Sequence, residues 1–371
     1  KFLLKYYMHI PFVDLKLQYE GIKKGIDQAV KNVIEETAFI GGKYVNQFEA
    51  DFAAIYGVNH VISCANGTDS LYIIMKMLGI GPSDEVITVA NSWISSSETI
   101  TQTGATPVFV DIDPLYYSMD TTKLASAITK HTKAVIAVHL QGQMCDMENL
   151  EAICQEHGLH LIEDCAQSHF SEYKGTRAGL RGIAGSFSFY PGKNLGAYGD
   201  AGCIVSNNSE LAEKCKMYAR HGALKKHQHQ MEGINSRMDG LQAAILSAKL
   251  PYILQWTESR IQNAGLYHQY LQNIPKVILP ATRPGTKHTW HLYVIRVKNR
   301  TALMEFLHEK GIETAIHYPT ALPNLPAYHY LNYKASDFPI ASKFQDETLS
   351  LPIYPELTED MIAYIANAIG S

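Results

Sequence analysis

Short β-branched runs alternate with amphipathic helical stretches through roughly the first two hundred residues, and this alternation restricts the fold more than any single motif does. A chain that passes repeatedly from strand to helix to strand builds a mostly parallel sheet with helices packed on its faces. The pattern predicts strands at His60 to Ser63, Glu85 to Val89, Pro107 to Val110, Lys133 to Val138, His160 to Ile162, Gly185 to Phe189 and Gly202 to Ser206, with helices between most of them. At 371 residues the chain exceeds the size at which one core usually stops growing. A large α/β domain with a smaller companion is therefore the expectation.

The character changes late in the chain. MDGLQAAILSAK, Met238 to Lys249, has alanine and leucine at helical spacing, and a longer helix is predicted from Tyr252 to Leu271. After Pro275 and the TRPGTKH segment, WHLYVIRV reads as a strand, Ala302 to Glu309 as a helix and Ile312 to Ile316 as another strand. This places the boundary near Pro251, with residues 8–250 forming the large α/β domain and 251–371 a small C-terminal α+β domain. Residues 1–7 are too short for a signal peptide and lack a small-residue cleavage site. Met8 reads as the natural start, and the residues before it as an added leader or an upstream start.

Composition removes several classes of function. The net charge is -4 with no basic block, which argues against a nucleic acid polymer as partner. No apolar run approaches the ~20 residues that cross a bilayer, so no membrane partner is expected. The six cysteines, Cys64, Cys145, Cys154, Cys165, Cys203 and Cys215, contain no CxxC pair and read as reduced packing residues of a cytoplasmic protein. His221, His227 and His229 lack the carboxylate or cysteine company of a metal site, so no metal is expected. A nicotinamide dehydrogenase would carry GxGxxG after its first strand, and none stands there.

Lys193 lies in SFSFYPGKNLGAYGDAG, an apolar strand that breaks through Pro191 and Gly192 into a glycine-rich loop. An ammonium with a pKa of ~10.4 is no nucleophile, and bringing it to about 7 requires roughly 4.6 kcal/mol of environmental bias. Phe187, Phe189, Tyr190 and Tyr198 are expected to wall off such a pocket, and Gly192, Gly196 and Gly199 to let the backbone approach a ligand. Without that setting, Lys193 is an ordinary solvated lysine. Upstream, HLIEDCAQSHF is a short strand emptying into an acidic pair and then Gln167, where an open α/β sheet presents side chains to its ligand crevice. Glu163, one residue before Asp164, points to the opposite face and reads as structural.

SCANGTDSLYIIMKML leaves a strand and enters a helix near Thr68, so the free amides of Gly67 and Thr68 can grip a phosphate. An ordinary helix cap by Asn66, Thr68 or Asp69 explains the same residues. Trp93, in NSWISSSETI, is either an aromatic platform at a strand end or a core filler.

IEDCAQSHFSEYKGTRAG followed by SFSFYPGKNLGAYGDAG resembles the pyridoxal-phosphate-dependent sugar aminotransferases of the DegT/DnrJ/EryC1/StrS family, a branch of the aspartate aminotransferase fold (fold type I). The resemblance runs from about Pro11 to the C-terminal helix and implies a three-layer domain around a mostly parallel sheet, with pyridoxal 5'-phosphate as cofactor. It makes Lys193 the covalent anchor and proton shuttle, and Asp164 the partner of the pyridine nitrogen. Gln167 is assigned to the ring or its phenolic oxygen, Gly67, Thr68 and Ser188 to the phosphate, and Trp93 to the ring face. Asn235, in GINSRMDGLQAAIL, is implied to reach the partner's cofactor phosphate, which makes the active unit a homodimer with composite sites. His317 and Tyr318, in ETAIHYPTALPNLPAY, and His291, in TWHLYVIRV, are carried over to the sugar pocket.

The implied reaction takes an amino group from L-glutamate to a nucleotide-linked keto sugar. The ISCANGTDSL and NSRMDGLQAAIL stretches favour C3 over C4, and the setting is assembly of lipopolysaccharide, another surface glycan or an amino-sugar metabolite. A sugar dehydratase and a cyclitol aminotransferase share the fold. Family dehydratases carry histidine in place of the lysine, so Lys193 favours transamination. A non-catalytic sensor would be expected to lose Lys193 or Asp164, and both are present.

Overall fold

The computed structural model describes residues 8–371, so the leader assigned to residues 1–7 lies outside the described residues. Helices α1 (Leu15–Glu35) and α2 (Gly42–Tyr56) precede a strict alternation: β1 (His60–Cys64), α3 (Gly67–Met77), β2 (Glu85–Val89), α4 (Ser95–Thr103), β3 (Thr106–Val110), α5 (Thr121–Ala127), β4 (Thr132–Val138), α6 (Met147–His157) and β5 (His160–Asp164). A two-residue hairpin, β6 (Glu172–Tyr173) and β7 (Thr176–Arg177), leads to β8 (Ala184–Ser188) and β9 (Gly202–Ser206). Helices α7 (Ser209–Tyr218), α8 (Gly240–Lys249) and α9 (Ile253–Leu271) follow.

The seven-stranded sheet has the order β1-β9-β8-β5-β4-β2-β3. Only β9 runs against the others, because it pairs antiparallel with both β1 and β8. The strands are short and almost wholly buried, as expected where helices cover both faces of a parallel sheet. All seven sequence-predicted strands are present with small shifts at their ends. In register, Asp164 of β5 lies between Val138 of β4 and Ser186 of β8, which brings the carboxyl ends of these strands to one edge of the sheet.

The C-terminal part contains β10 (Thr286–Lys287), β11 (Tyr293–Arg296), α10 (Arg300–Glu309), α11 (Pro339–Glu347), β12 (Thr348–Leu351) and α12 (Glu359–Gly370). Here one expectation fails: Ile312 to Ile316 is not a strand. It makes single bridges only, Ile312 to Ile10 and Ala315 to Ser350, and the partner of β11 is β12. Glu313 accepts the Phe12 amide at 3.0 Å, and the chain then turns away toward the sheet edge, so no ladder propagates.

Two hydrophobic cores result. One fills both faces of the large sheet, and the other packs α9, α12, β11 and β12 together with Ile10 from the N-terminal segment. Leu322, Tyr328, Phe338 and Phe344 belong to the first core although they follow β11 in the chain. The Tyr328 hydroxyl donates to Ser97 of α4 at 2.7 Å. The segment after Ile316 is thereby fixed across the edge of the large sheet.

Candidate active site

A cavity of about 440 Å³ opens at the carboxyl ends of β1, β2, β4, β5 and β8, and it is lined by side chains from the loop that follows each strand. This is the edge at which parallel α/β sheets present ligand sites.

Helix α3 supplies one wall. Asn66 caps it by accepting the Asp69 amide at 2.8 Å, which leaves the first-turn amides of Gly67 and Thr68 without an intrahelical acceptor. Gly67 is forced by close packing: a Cβ there would lie 2.7 Å from the Cβ of Ser188. A Cβ on Gly202 would meet the Asn66 carbonyl carbon at 2.4 Å. The helix N-terminus therefore sits directly against the end of β8, with bare amides at the cavity. Thr68 Oγ1 and Ser95 Oγ are 2.7 Å apart, and Ser188 Oγ accepts only the Tyr190 amide at 3.3 Å. Two amides, hydroxyls and a helix N-terminus form a cradle suited to a phosphate.

Asp164 stands across the cavity, buried at the end of β5. It accepts Ser96 Oγ at 2.8 Å and the Ala166 amide at 3.1 Å. Ser92 Oγ lies 2.8 Å from Ser96, so two hydroxyls in series steady the carboxylate. Gln167 is held at both ends: its Oε1 accepts the Gln141 amide at 2.6 Å, and its Nε2 donates to the Tyr318 hydroxyl at 2.9 Å.

Lys193 is half-buried in the cavity wall, and its Nζ has no hydrogen bond or ion pair among the described residues. Burial lowers its pKa to about 8, against the opposing pull of the Asp164 carboxylate. The amine is thus neutral in part near physiological pH, as a nucleophilic lysine requires. Burial and the charge of Lys193 hold His317 down at about 4, so this ring is neutral; its Nδ1 meets Ser350 Oγ at 2.8 Å. Burial, reinforced by Asp164, raises the Tyr318 hydroxyl.

The cavity gathers Gly67, Thr68, Trp93, Asp164, Gln167, Ser188, Lys193, His317 and Tyr318 from segments far apart in sequence. Trp93 is 60% exposed at the mouth, its ring 5.9 Å from that of Tyr318, so it is a platform open to a ligand rather than a core filler. Two residues of the sequence reading lie outside the lining. Asn235 is exposed, with Oδ1 accepting Arg237 Nε at 3.0 Å, while its neighbour Ser236 donates to Asp69 Oδ2 at 2.6 Å behind the α3 cradle. His291 lies behind the lysine loop, Nδ1 at 3.1 Å from Asn194 Oδ1.

The aromatic wall expected around Lys193 is only partly present. Strand alternation turns Phe187 and Phe189 into the core against Phe52, at 5.8 and 5.7 Å between ring centroids. Tyr190 does line the cavity, and Tyr198 faces Tyr19 on another surface. Sequence reasoning also passed over Ser92, Ser95 and Ser96. The signal was the hydroxyl-rich start of the helix in NSWISSSETI, directly after a strand end.

A sequence model of the DegT/DnrJ/EryC1/StrS aminotransferase family matches residues 20–370. The chain belongs to this family. It is 44% identical over 365 residues to the pleiotropic regulatory protein of Geobacillus stearothermophilus, covering 98% of each chain. It is 42% identical to the dTDP-3-amino-3,6-dideoxy-alpha-D-galactopyranose transaminase of Aneurinibacillus thermoaerophilus, covering 97% of this chain and 99% of that one. Among solved structures, DesV of Streptomyces venezuelae, determined with a ketimine intermediate, superposes with a TM-score of 0.95 at 37% identity over 98% of both chains. NtdA of Bacillus subtilis, solved with bound PMP, gives 0.88 at 30% identity, covering 98% of this chain and 86% of that one. The fold is that of these aminotransferases, and the chain is a pyridoxal-phosphate-dependent transaminase.

Proposed function

We propose that the protein is a pyridoxal-phosphate-dependent aminotransferase that moves an amino group from L-glutamate to C3 of a nucleotide-linked keto sugar. The observation that carries this reading is the pairing, across one cavity, of a half-buried lysine free of partners with a buried carboxylate whose acceptor capacity is only partly used. The bare amides of Gly67 and Thr68 fit the cofactor's phosphate, with Thr68 and Ser188 adding hydroxyls. When bound, pyridoxal phosphate supplies an aldehyde that captures amines and a ring that withdraws electrons from an adjacent carbon.

The protein side of the chemistry follows from position. Lys193 Nζ, neutral in part near pH 8, is the group that holds the cofactor covalently. With the cofactor bound, the same atom would be placed to take a proton from one carbon and return it to another. Asp164, oriented by Ser96, keeps the pyridine nitrogen protonated. Gln167 would steady the ring, and Trp93 would stack on it. His317 and Tyr318, with neutral side chains, meet the sugar. His291 acts at one remove, through Asn194 and the lysine loop. Asn235, exposed and outside its own cavity, serves the partner's phosphate cradle in a homodimer with composite sites.

The relatives named for 3-amino sugars support C3 over C4, and surface-glycan or amino-sugar assembly in the cytoplasm is the setting that fits. Among the described residues no helix is long and apolar enough to cross a membrane. The two cores support a larger and a smaller domain, with the chain boundary near Pro251; the smaller core takes in Ile10, and the segment from Ala321 to Phe344 returns to the larger one. A regulatory role, suggested by the name of the Geobacillus relative, has no use for a half-buried lysine, without a partner among the described residues, opposite a carboxylate.

The test is the visible spectrum of the purified protein loaded with pyridoxal phosphate, before and after L-glutamate. The wild type is expected to lose its visible band on adding the donor, and Lys193→Ala to show no lysine-linked cofactor. A wild type that takes up no cofactor when it is supplied would end the reading.

A further inference from the structure

The reading above uses one lysine, and the structure buries a second. Lys249, the last residue of α8, has no exposed surface, although a lysine at a helix end ordinarily reaches water with its charged tip. Its Nζ donates to the carbonyl oxygen of Gly196 at 2.8 Å and lies 4.2 Å from the centre of the Tyr198 ring. Both acceptors belong to the loop that carries Lys193.

That loop is closed on itself. The Ala197 amide donates to the Phe189 carbonyl at 2.7 Å, and the Lys193 amide to the Tyr190 carbonyl at 2.8 Å. Gly196 lies so close to Pro191 that a Cβ on it would come within 2.2 Å of the Pro191 carbonyl oxygen. Lys193 sits inside this ring, and Gly196 is next to its closing point. Two helical turns before Lys249, on the same face of α8, Gln242 grips the following residue. Its Oε1 accepts the Tyr198 amide at 2.9 Å, and its Nε2 donates to the Tyr198 carbonyl at 3.4 Å.

We propose that Lys249 and Gln242 are positioning residues for Lys193, with α8 acting as a rail that holds the return limb of the lysine loop and thereby sets where Lys193 Nζ stands in the cavity. Burial lowers the Lys249 pKa to about 8 against the opposing pull of the Glu356 carboxylate, and one carbonyl with one aromatic face is thin compensation for burying this amine if packing were its only task. A methionine of similar length would fill the space without a charge. The Lys249 amine supplies a directional bond to Gly196 and a contact on the Tyr198 ring at a loop whose glycines cannot hold it by side-chain packing. This rests on the assignment of Lys193 as the reactive amine.

The test uses full-length protein freed of cofactor. Acetic anhydride labelling of Lys193, followed by mass spectrometry across pH, reads the amine directly. In the wild type the labelling midpoint is expected near 8. In Lys249→Met the loop loosens, Lys193 gains water, and the midpoint should rise by about one unit or more. The L-glutamate half-reaction of the loaded variant should slow by about tenfold to a hundredfold. Gln242→Ala, at a half-buried position that tolerates truncation, should move both readouts the same way by less. If both variants keep the wild-type midpoint and half-reaction rate while only their melting temperatures fall, Lys249 and Gln242 are structural and the proposal is overturned. If the wild type itself shows no depressed midpoint and no cofactor uptake, the assignment of Lys193 has failed instead.

Discussion

Glu163 and Asp164 are neighbours on one strand, both buried, and the structure treats them in opposite ways. Glu163 is saturated: it accepts His139 Nε2 at 2.8 Å and the backbone amides of Gly179, Arg181 and Gly182 at 2.8, 2.8 and 2.6 Å. The Cys145 amide occupies His139 Nδ1 at 3.2 Å, so the ring presents its Nε2 proton to Glu163. Asp164, on the other face, has one hydroxyl and one amide and otherwise faces the cavity. A buried carboxylate with every lone pair engaged holds the chain together, and one with acceptor capacity left over is available to a ligand. The same contrast explains why His139, Glu163 and Cys165, though close enough to enclose an ion, read as a fastening for the 179–182 loop.

The largest effect should come from the open side. Lys193→Ala removes both anchor and proton carrier, and turnover should drop by about 10⁴-fold while the melting temperature stays near that of the wild type. A steady-state assay with L-glutamate and a nucleotide-linked 3-keto sugar, paired with a thermal melt, checks it. A large loss of stability would mean that the two sides are not separable.

On the closed side, Glu163→Gln leaves His139 and three amides with a poorer acceptor and should destabilise the fold by about 3 kcal/mol, with activity per folded molecule largely retained. Urea titration measures the first and active-site counting the second. Burial pushes the Glu163 carboxyl upward, but the bonds from His139 and the loop amides outweigh it and hold its pKa below the ordinary value. Its folded pKa is therefore lower than its unfolded one of ~4.3, so its stabilisation is present above that pH and lost as pH falls further. The stability gap between wild type and Glu163→Gln should accordingly narrow as pH falls through and below about 4.3.

Smaller effects sharpen the open side. Ser96→Ala deprives Asp164 of its hydroxyl donor and should slow the L-glutamate half-reaction by about tenfold in stopped-flow, roughly 1.4 kcal/mol, since the bond is to a charged group. Trp93→Ala should weaken cofactor retention by about 1 kcal/mol, read by dialysis against free cofactor.

Much of this was legible in the sequence. The seven strands of the large sheet follow from period and length, and Asp164, Gln167, Ser188 and Lys193 stand in short motifs that the fold brings to one cavity. What escaped was set by long-range contact. Ile312 to Ile316 has strand composition, but Thr348–Leu351 arrives from beyond α11 to take the pairing with β11. Phe187 and Phe189 looked like pocket walls until strand alternation turned them into the core. Lys249 only closes the helical stretch MDGLQAAILSAK in the sequence, and the fold alone brings Gly196 and Tyr198 to it.

The comparison between the two carboxylates is tested most directly by Asp164→Asn, with the rate of the L-glutamate half-reaction at saturating pyridoxal phosphate measured beside a urea titration. Asparagine keeps the size and the bond from the Ala166 amide but removes the charge. The half-reaction should fall by about 10³-fold, roughly 4 kcal/mol of barrier, with unfolding stability within about 1 kcal/mol of the wild type. A half-reaction within a fewfold of the wild type, or a stability loss as large as that of Glu163→Gln, would contradict the assignment of chemistry to the open face of β5.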